Sequence, residues 1–337
     1  IVFVMAYNFV WGEKEVYQFL NMMFWSLLAP LSAGICQIVT HTGWKDPVGI
    51  VRIYGTFAHP NAFAFYLIFF LGLTFWKYQF SHRRLLWLGL VIIQLICFLH
   101  TFSLTGHILL GILFIGILIK KEVSGKLLIT IVAIVYILLL INTAPFQKRI
   151  EQLKHINLKA RKGVIENKAK KDLTKGIGSE KNSIISRKVI KNKVKEDSFT
   201  WRIANWQELI FLWEKKPLVG YGLNSTILIN PVKQWKDGQK GLGHLPHNDF
   251  IRYLVETGVV GFILYIGFVL IVGGTLFQQY RKSEDSQLRY LFYTLFVTFI
   301  AWQIGSLALN VIGVTAFLFC FWAITGVALK ASKKAIK

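Results

Sequence analysis

His247-Asn248-Asp249-Phe250 stands just ahead of a long apolar run, with Glu256-Thr257-Gly258 following inside it. An imidazole titrates near neutrality, which suits it to take a proton from a sugar hydroxyl, and the positive end of a helix starting beside it favours anions. The plainer alternative makes Asn248 or Asp249 an ordinary N-cap and His247 an interfacial aromatic. Arginines offer a matching electrostatic chemistry. Arg52 opens the stretch Arg52-Ile53-Tyr54-Gly55-Thr56-Phe57-Ala58-His59-Pro60-Asn61, in which Gly55 and Pro60 turn the chain and Asn61 is placed to cap the next helix. A guanidinium there either clamps a diphosphate bidentately or snorkels to a bilayer surface. Arg202 lies among aromatics, where a guanidinium wants an anionic partner. His244 and His247 are loosely spaced, no Cys is near and Asp249 alone does not complete a ligand set, so no metal is expected.

The elements that must hold these residues are membrane helices. Hydrophobic residues make up 54% of the chain and mean hydropathy is +0.49, beyond what a soluble domain with a polar surface usually reaches. Apolar runs fall at Val16 to Thr40, Asn61 to Trp76, Leu85 to Thr101, His107 to Ile119, Leu127 to Ile141, Phe250 to Leu276, Tyr290 to Leu307 and Val311 to Leu329. Ile1 to Trp11 reads as the end of a further span. With no initiator Met or charged leader ahead of it, the chain is expected to lack its true N-terminus. The architecture predicted is an all-α polytopic bundle of roughly nine spans. Trp11, Trp44, Trp76, Trp87, Trp201 and Trp302 read mostly as interfacial belt residues.

Short loops holding Lys77, His82, Arg83 and Arg84, then Lys120, Lys121 and Lys126, then Arg281, Lys282 and Arg289, together with a tail holding Lys330, Lys333, Lys334 and Lys337, fall on one side, expected to be cytoplasmic. The other side receives Thr40 to Ala58, Thr101 to Gly106, Ser306 to Asn310 and the long Asn142 to Pro246 segment. The expected organisation is therefore membrane helices over 1–141, an extracytoplasmic loop over 142–246 and further helices with a basic tail over 247–337. Within the loop, 147–197 carries 16 Lys/Arg against 6 Asp/Glu and accounts for +10 of the formal +22. That is a solvated insertion, or a surface drawn to anionic headgroups or diphosphates. No nucleic-acid reading motif accompanies the charge. Over 200–215, Trp201, Ile203, Trp206, Leu209, Ile210 and Trp213 recur at helical spacing, as in an amphipathic helix that lies on the bilayer, with its aromatics as interfacial anchors, or caps a cavity. Gly220 and Gly222 permit positive φ in the turn beyond it.

Taken in order, Arg-x-x-Gly-Thr-Phe-x-His-Pro-Asn from Arg52, Arg202-x(3)-Trp206, Pro217-Leu-x-Gly-Tyr-Gly, His247-Asn-x-Phe and Glu256-x-Gly-x-x-Gly261 resemble the O-antigen ligase and Wzy-type polymerase superfamily across nearly the whole chain. The resemblance implies a GT-C-type glycosyltransferase of the bacterial cytoplasmic membrane that takes a glycan from undecaprenyl diphosphate, with its site facing the periplasm or cell exterior. Ligases pass the glycan to the lipid A core and polymerases to another lipid-linked repeat unit. Carried over by motif, His247 is the base, and Arg52 and Arg202 hold the diphosphate, with Asn248, Tyr221, His59 and Asn61 contacting substrate. Gly55, Gly220, Gly222, Glu256 and Gly258 support them. Inversion by direct displacement, with no metal or cofactor, is the implied course. One departure stands out: the family's Thr-x-Ser-Arg turn reads Thr101-Phe102-Ser103-Leu104 here, and His107, Arg252 or a lysine of the basic loop would have to compensate.

Other patterns point elsewhere or nowhere. Cys36, Cys97 and Cys320 lie in apolar runs, which argues against an external disulfide framework. No dinucleotide, Walker A or zinc-protease motif occurs. A transporter for a lipid-linked glycan remains an alternative, motivated by the many spans, although their centres are nearly free of charge. A non-catalytic partner in an envelope-polymer complex is another, motivated by Leu104.

Overall fold

The structure is a computed structural model and describes residues 1–9, 13–46, 49–120, 126–144, 146–147, 198–230, 233–236, 239–243, 245–311 and 314–335. The basic stretch 148–197, Trp11, Lys121, His244 and Lys337 lie outside the described residues. The class is all-α. Helices α1 (Val2–Phe9), α2 (Glu13–Val39), α3 (Pro60–Phe80), α4 (Arg84–His100), α5 (Leu104–Ile119) and α6 (Lys126–Asn142) come first. After them come α7 (Ser198–Trp213), the single-turn α8 (Thr226–Ile229), α9 (Asp249–Lys282), α10 (Ser286–Ser306) and α11 (Thr315–Ala335). Two antiparallel hairpins join them, β1 (Trp44–Lys45) with β2 (Val51–Arg52) and β3 (Lys233–Lys236) with β4 (Gln239–Gly243). Hydropathy foresees neither, although Asp237-Gly238 between β3 and β4 is a dipeptide favoured in two-residue hairpin loops.

Every expected span coincides with a helix, and four of these, in α2, α3, α9 and α11, are long and apolar enough to cross a membrane. Helices α4, α5 and α6 are apolar but shorter, below the roughly 20 residues a full crossing takes. The protein is thus an all-α multi-pass membrane protein. Its centre is α3, in which every residue from Phe63 to Trp76 is buried, the mark of a helix apolar all round. Around it pack α4, α5, α10 and α11. Glycines let the backbones approach: a Cβ at Gly72 or Gly116 would lie 2.9 Å from Thr294 or 2.7 Å from Val297 of α10. By contrast α9 leaves Val260, Ile263, Leu264 and Ile271 exposed, as a lipid-facing helix does. Trp76 and Trp302 are buried, not belt residues; Trp302 packs edge-on against Phe317 and Phe321.

Contacts sort the bundle into two ends. At the basic end, the Trp76 indole donates to the Gln287 carbonyl (3.0 Å). The Lys120 ammonium sits 4.2 Å from the Tyr290 ring centre, 5.2 Å from Tyr293 and 5.4 Å from Tyr280, pinning the end of α5 against α9 and α10. The opposite end gathers the starts of α3, α5, α9 and α11.

Candidate active site

At this second end the β1–β2 hairpin pairs Trp44 with Arg52, and the guanidinium carbon lies 5.6 Å from the indole centre. Arg52 is buried (6% exposed); its Nε donates to the Thr101 carbonyl (2.7 Å) and its Nη2 to Asn61 Oδ1 (2.8 Å). The next turn is fastened to α2 by Gln37, whose Oε1 accepts from the amides of Tyr54 (2.9 Å) and Gly55 (3.0 Å). Gly55 has φ 58°, and a Cβ there would lie 2.9 Å from the Pro30 carbonyl. His59, not Asn61, is the N-cap of α3: its Nδ1 accepts from the Asn61 amide (3.1 Å), leaving Asn61 to serve Arg52. The neutral ring then carries its proton on Nε2. Burial first, then the guanidiniums of Arg52 and of Arg202, push the His59 imidazole down to about 4. Arginines from opposite halves of the chain therefore bear on one imidazole.

Arg202 comes from α7. Its Nη1 donates to the Ala308 carbonyl (3.0 Å) in the connection between α10 and α11, which also donates the Val311 amide to Asp249 Oδ2 (2.9 Å). One turn further along α7, the Trp206 indole donates to the Pro246 carbonyl (2.6 Å), the residue before His247. His247 itself has φ 53°, a left-handed backbone that few non-glycine residues adopt. Asn248 caps α9 by accepting from the Ile251 amide (3.0 Å), and Asp249 behind it is fully buried. Helix α7 and the α10–α11 connection thus hold Arg202 and the His247 turn at the same end of the bundle.

The helix that His247 precedes is not one straight span. At Gly258 (φ 64°, ψ −170°) α9 breaks, and Tyr253 stacks on Tyr265 with ring centres 4.3 Å apart. In a straight helix those residues would stand about 18 Å apart, so the arm Asp249–Thr257 folds back on the rest. The segment Pro217–Gly222 fills the break. Val259 and Val260 donate to the carbonyls of Pro217 (2.8 Å) and Leu218 (3.2 Å), while Tyr221 and Gly222 donate to those of Val255 (3.1 Å) and Glu256 (2.8 Å). Backbone groups freed by the break are re-paired, as they must be away from water. Only glycine fits at Gly220 and Gly258, both at positive φ; a Cβ on Gly258 would lie 2.2 Å from the Leu218 carbonyl oxygen. Glu256, buried, accepts from the Thr226 hydroxyl (2.6 Å) and pairs with Arg252 Nε (3.2 Å), whose Nη2 reaches Asn224 Oδ1 (3.1 Å).

The family model described as O-antigen ligase matches residues 89–266, more than half of the 337-residue chain, from α4 through the break in α9. The chain belongs to the O-antigen ligase family. A search of curated proteins gives no match. The stretch matched to the O-antigen ligase family includes Arg202, Tyr221, His247, Asn248 and Glu256, while Arg52, His59 and Asn61 precede it.

Of the residues singled out in this O-antigen ligase-family chain, Arg52, His59 and Asn61 form one cluster, which Arg202 joins through its effect on His59. His247 and Asn248 reach the same end through Trp206. Gly220, Gly222, Glu256 and Gly258 belong to the helix splice instead. Tyr221 does too: its hydroxyl donates to the Leu212 carbonyl (2.8 Å). Leu104 starts α5 right after the turn that receives Arg52, and it is partly exposed (36%). Two of the cations suggested to replace an arginine there are engaged: Arg252 by Glu256, and His107 by the Ser103 carbonyl and the Tyr136 ring. Trp44 and Gln37, which frame Arg52 and its turn, carry no motif that marks them in the sequence. Among the described residues, no group of three His, Cys, Asp or Glu is placed to hold a metal ion.

Proposed function

We propose that this O-antigen ligase-family protein moves a glycan from undecaprenyl diphosphate to an acceptor hydroxyl, at the end of the bundle that holds Arg52, Arg202 and His247, and that this end faces the periplasm or cell exterior. What supports the reading is that Arg52, bonded to Asn61 and the Thr101 turn, and Arg202, bonded to Ala308, come from distant parts of the chain to the end of the bundle where His59 caps α3, and that burial and both guanidiniums hold its imidazole below the ordinary value. In this reading His247 takes the proton of the acceptor hydroxyl as its oxygen attacks the anomeric carbon. The bond from that carbon to the diphosphate oxygen breaks, and undecaprenyl diphosphate leaves with its charge against the two guanidiniums. A single displacement inverts the anomeric centre. His59, protonated on Nε2 while neutral, is a donor for a diphosphate oxygen. It is a poor base, with its Nδ1 committed to Asn61. Cations of the chain itself meet the leaving charge, so the reading includes neither a metal nor a nucleotide cofactor.

The acceptor in this reading is the lipid A core, as for a ligase, the word that the family's description uses; the alternative, a polymerase, would extend a second lipid-linked repeat unit. The test incubates purified protein with an undecaprenyl-diphosphate-linked glycan and each acceptor in turn. Transfer to lipid A core that is lost in His247→Ala supports the ligase. Lengthening of the lipid-linked repeat assigns a polymerase, and no transfer to either from folded protein overturns the proposal.

A further inference from the structure

At the basic end of the bundle, roughly 25 Å along α3 from Pro60, a cavity of about 310 Å³ opens between α2, the α3–α4 turn and the start of α10. Its walls include Trp76, Lys77, Ser81, Arg83, Leu86 and Trp87. The Lys77 ammonium lies 4.8 Å from the Trp76 ring centre and 6.0 Å from that of Trp87, so its position is fixed by two aromatic faces. Neither Lys77 nor Arg83 forms an ion pair among the described residues. The acid beside the cavity, Asp285, already accepts from the Tyr17 hydroxyl (3.0 Å) and the Gln287 amide (2.8 Å). The start of α4 adds its own positive end, since the Arg83 side chain makes no capping bond.

We propose that this cavity binds the phosphate of an anionic phospholipid headgroup, from the leaflet at this end of the bundle. Two further observations favour a lipid over a soluble phosphate. The cavity is at the small end of ligand pockets, sized for a headgroup. Beside it Leu85, Leu86 and Trp25 are 84%, 57% and 72% exposed, an apolar surface along which acyl chains lie. The phosphate sits between Lys77 and Arg83, as a point charge to the first and a fork to the second, while Trp76 and Trp87 flank the headgroup. The site is separate from the diphosphate chemistry at the other end, and it stands or falls independently of it.

Native mass spectrometry of the intact protein, loaded with equal amounts of phosphatidylglycerol and phosphatidylethanolamine, tests the proposal. The protein is expected to retain phosphatidylglycerol about tenfold over phosphatidylethanolamine, a preference of about 1.4 kcal/mol. The double variant Lys77→Gln/Arg83→Gln should lose it, and Lys215→Gln, at the other end, should keep it. Should the double variant fold poorly, Arg83→Gln alone changes only an exposed side chain and is expected to weaken the preference severalfold. Equal retention of the two lipids by the unaltered protein, or an unchanged preference in the variants, overturns the site. Glycerol phosphate at millimolar concentration should leave the lipid bound; displacement by it would assign the cations to a soluble phosphate and overturn the lipid assignment.

Discussion

Arg52 ties the Thr101 turn and Asn61 together with two of its N–H groups, so its contribution is geometric as well as electrostatic. Arg52→Lys keeps the charge and loses the fork, and is expected to lower glycan transfer by about 10- to 100-fold; a steady-state assay showing full activity would contradict the role. His59 gives a pH signature. Its value of about 4 lies below the ordinary 6.5, so between those limits the unfolded chain binds the proton before the folded one does. Stability therefore falls as pH drops from about 6.5 and levels off below about 4. His59→Asn, which keeps a capping side chain, should flatten that part of the curve, as thermal unfolding across pH would reveal; an identical slope in the variant would count against it. Arg52, His59 and Asn61 are legible in the sequence because ten residues contain them. Trp44 and Gln37 are not, since a two-residue strand has no periodicity and a helix glutamine bonding a distant turn leaves no spacing to detect.

Among the elements, the break in α9 decides where the His247 turn sits. Gly258→Ala puts a Cβ 2.2 Å from the Leu218 carbonyl oxygen at a positive φ, and is expected to destabilise the protein by about 2–4 kcal/mol. Gly274→Ala, in the same helix with open space around it, should be neutral or stabilise by up to about 1 kcal/mol. Denaturation midpoints of the two variants compare them directly, and equal losses would remove the splice as the cause. The sequence marks both halves of this splice, Pro217-Leu-x-Gly-Tyr-Gly and Glu256-x-Gly, as turn-like. Their pairing stays hidden because it joins residues far apart, and because the apolar pattern runs on through Gly258 as if the helix were straight. The reading of Asn61, rather than His59, as the cap of α3 has a local cause: asparagine is the commoner capping residue, and here its Oδ1 is taken by Arg52.

Over the whole molecule, among the described residues, hydropathy suffices for the class and for the location of the long apolar helices, since both follow from how much apolar surface a segment carries; the single-turn α8 and the amphipathic α7 do not follow from it. It does not give the length of each crossing: α4, α5 and α6 read as spans and are 17, 16 and 17 residues long, below the roughly 20 that a full crossing takes. Charge in the short loops anticipates the two chemically different ends: Lys120 in its tyrosine cage and Lys77 over two tryptophans at one, Arg52 and Arg202 at the other. The proposed orientation rests on that asymmetry. In a background with the exposed Cys36 replaced, Lys45→Cys should react with a membrane-impermeant thiol reagent applied to intact cells, and Arg83→Cys only after the cytoplasmic face is opened. The reverse pattern would place the arginine end in the cytoplasm and exclude a periplasmic acceptor. The account as a whole rests on His247 acting as the base in a site shared with Arg52 and Arg202. Its most direct test is the transfer rate of His247→Asn, a residue that tolerates the left-handed backbone at this position. The account predicts that kcat falls at least about 100-fold while the donor KM stays nearly unchanged; a variant that transfers glycan at the full rate would contradict it.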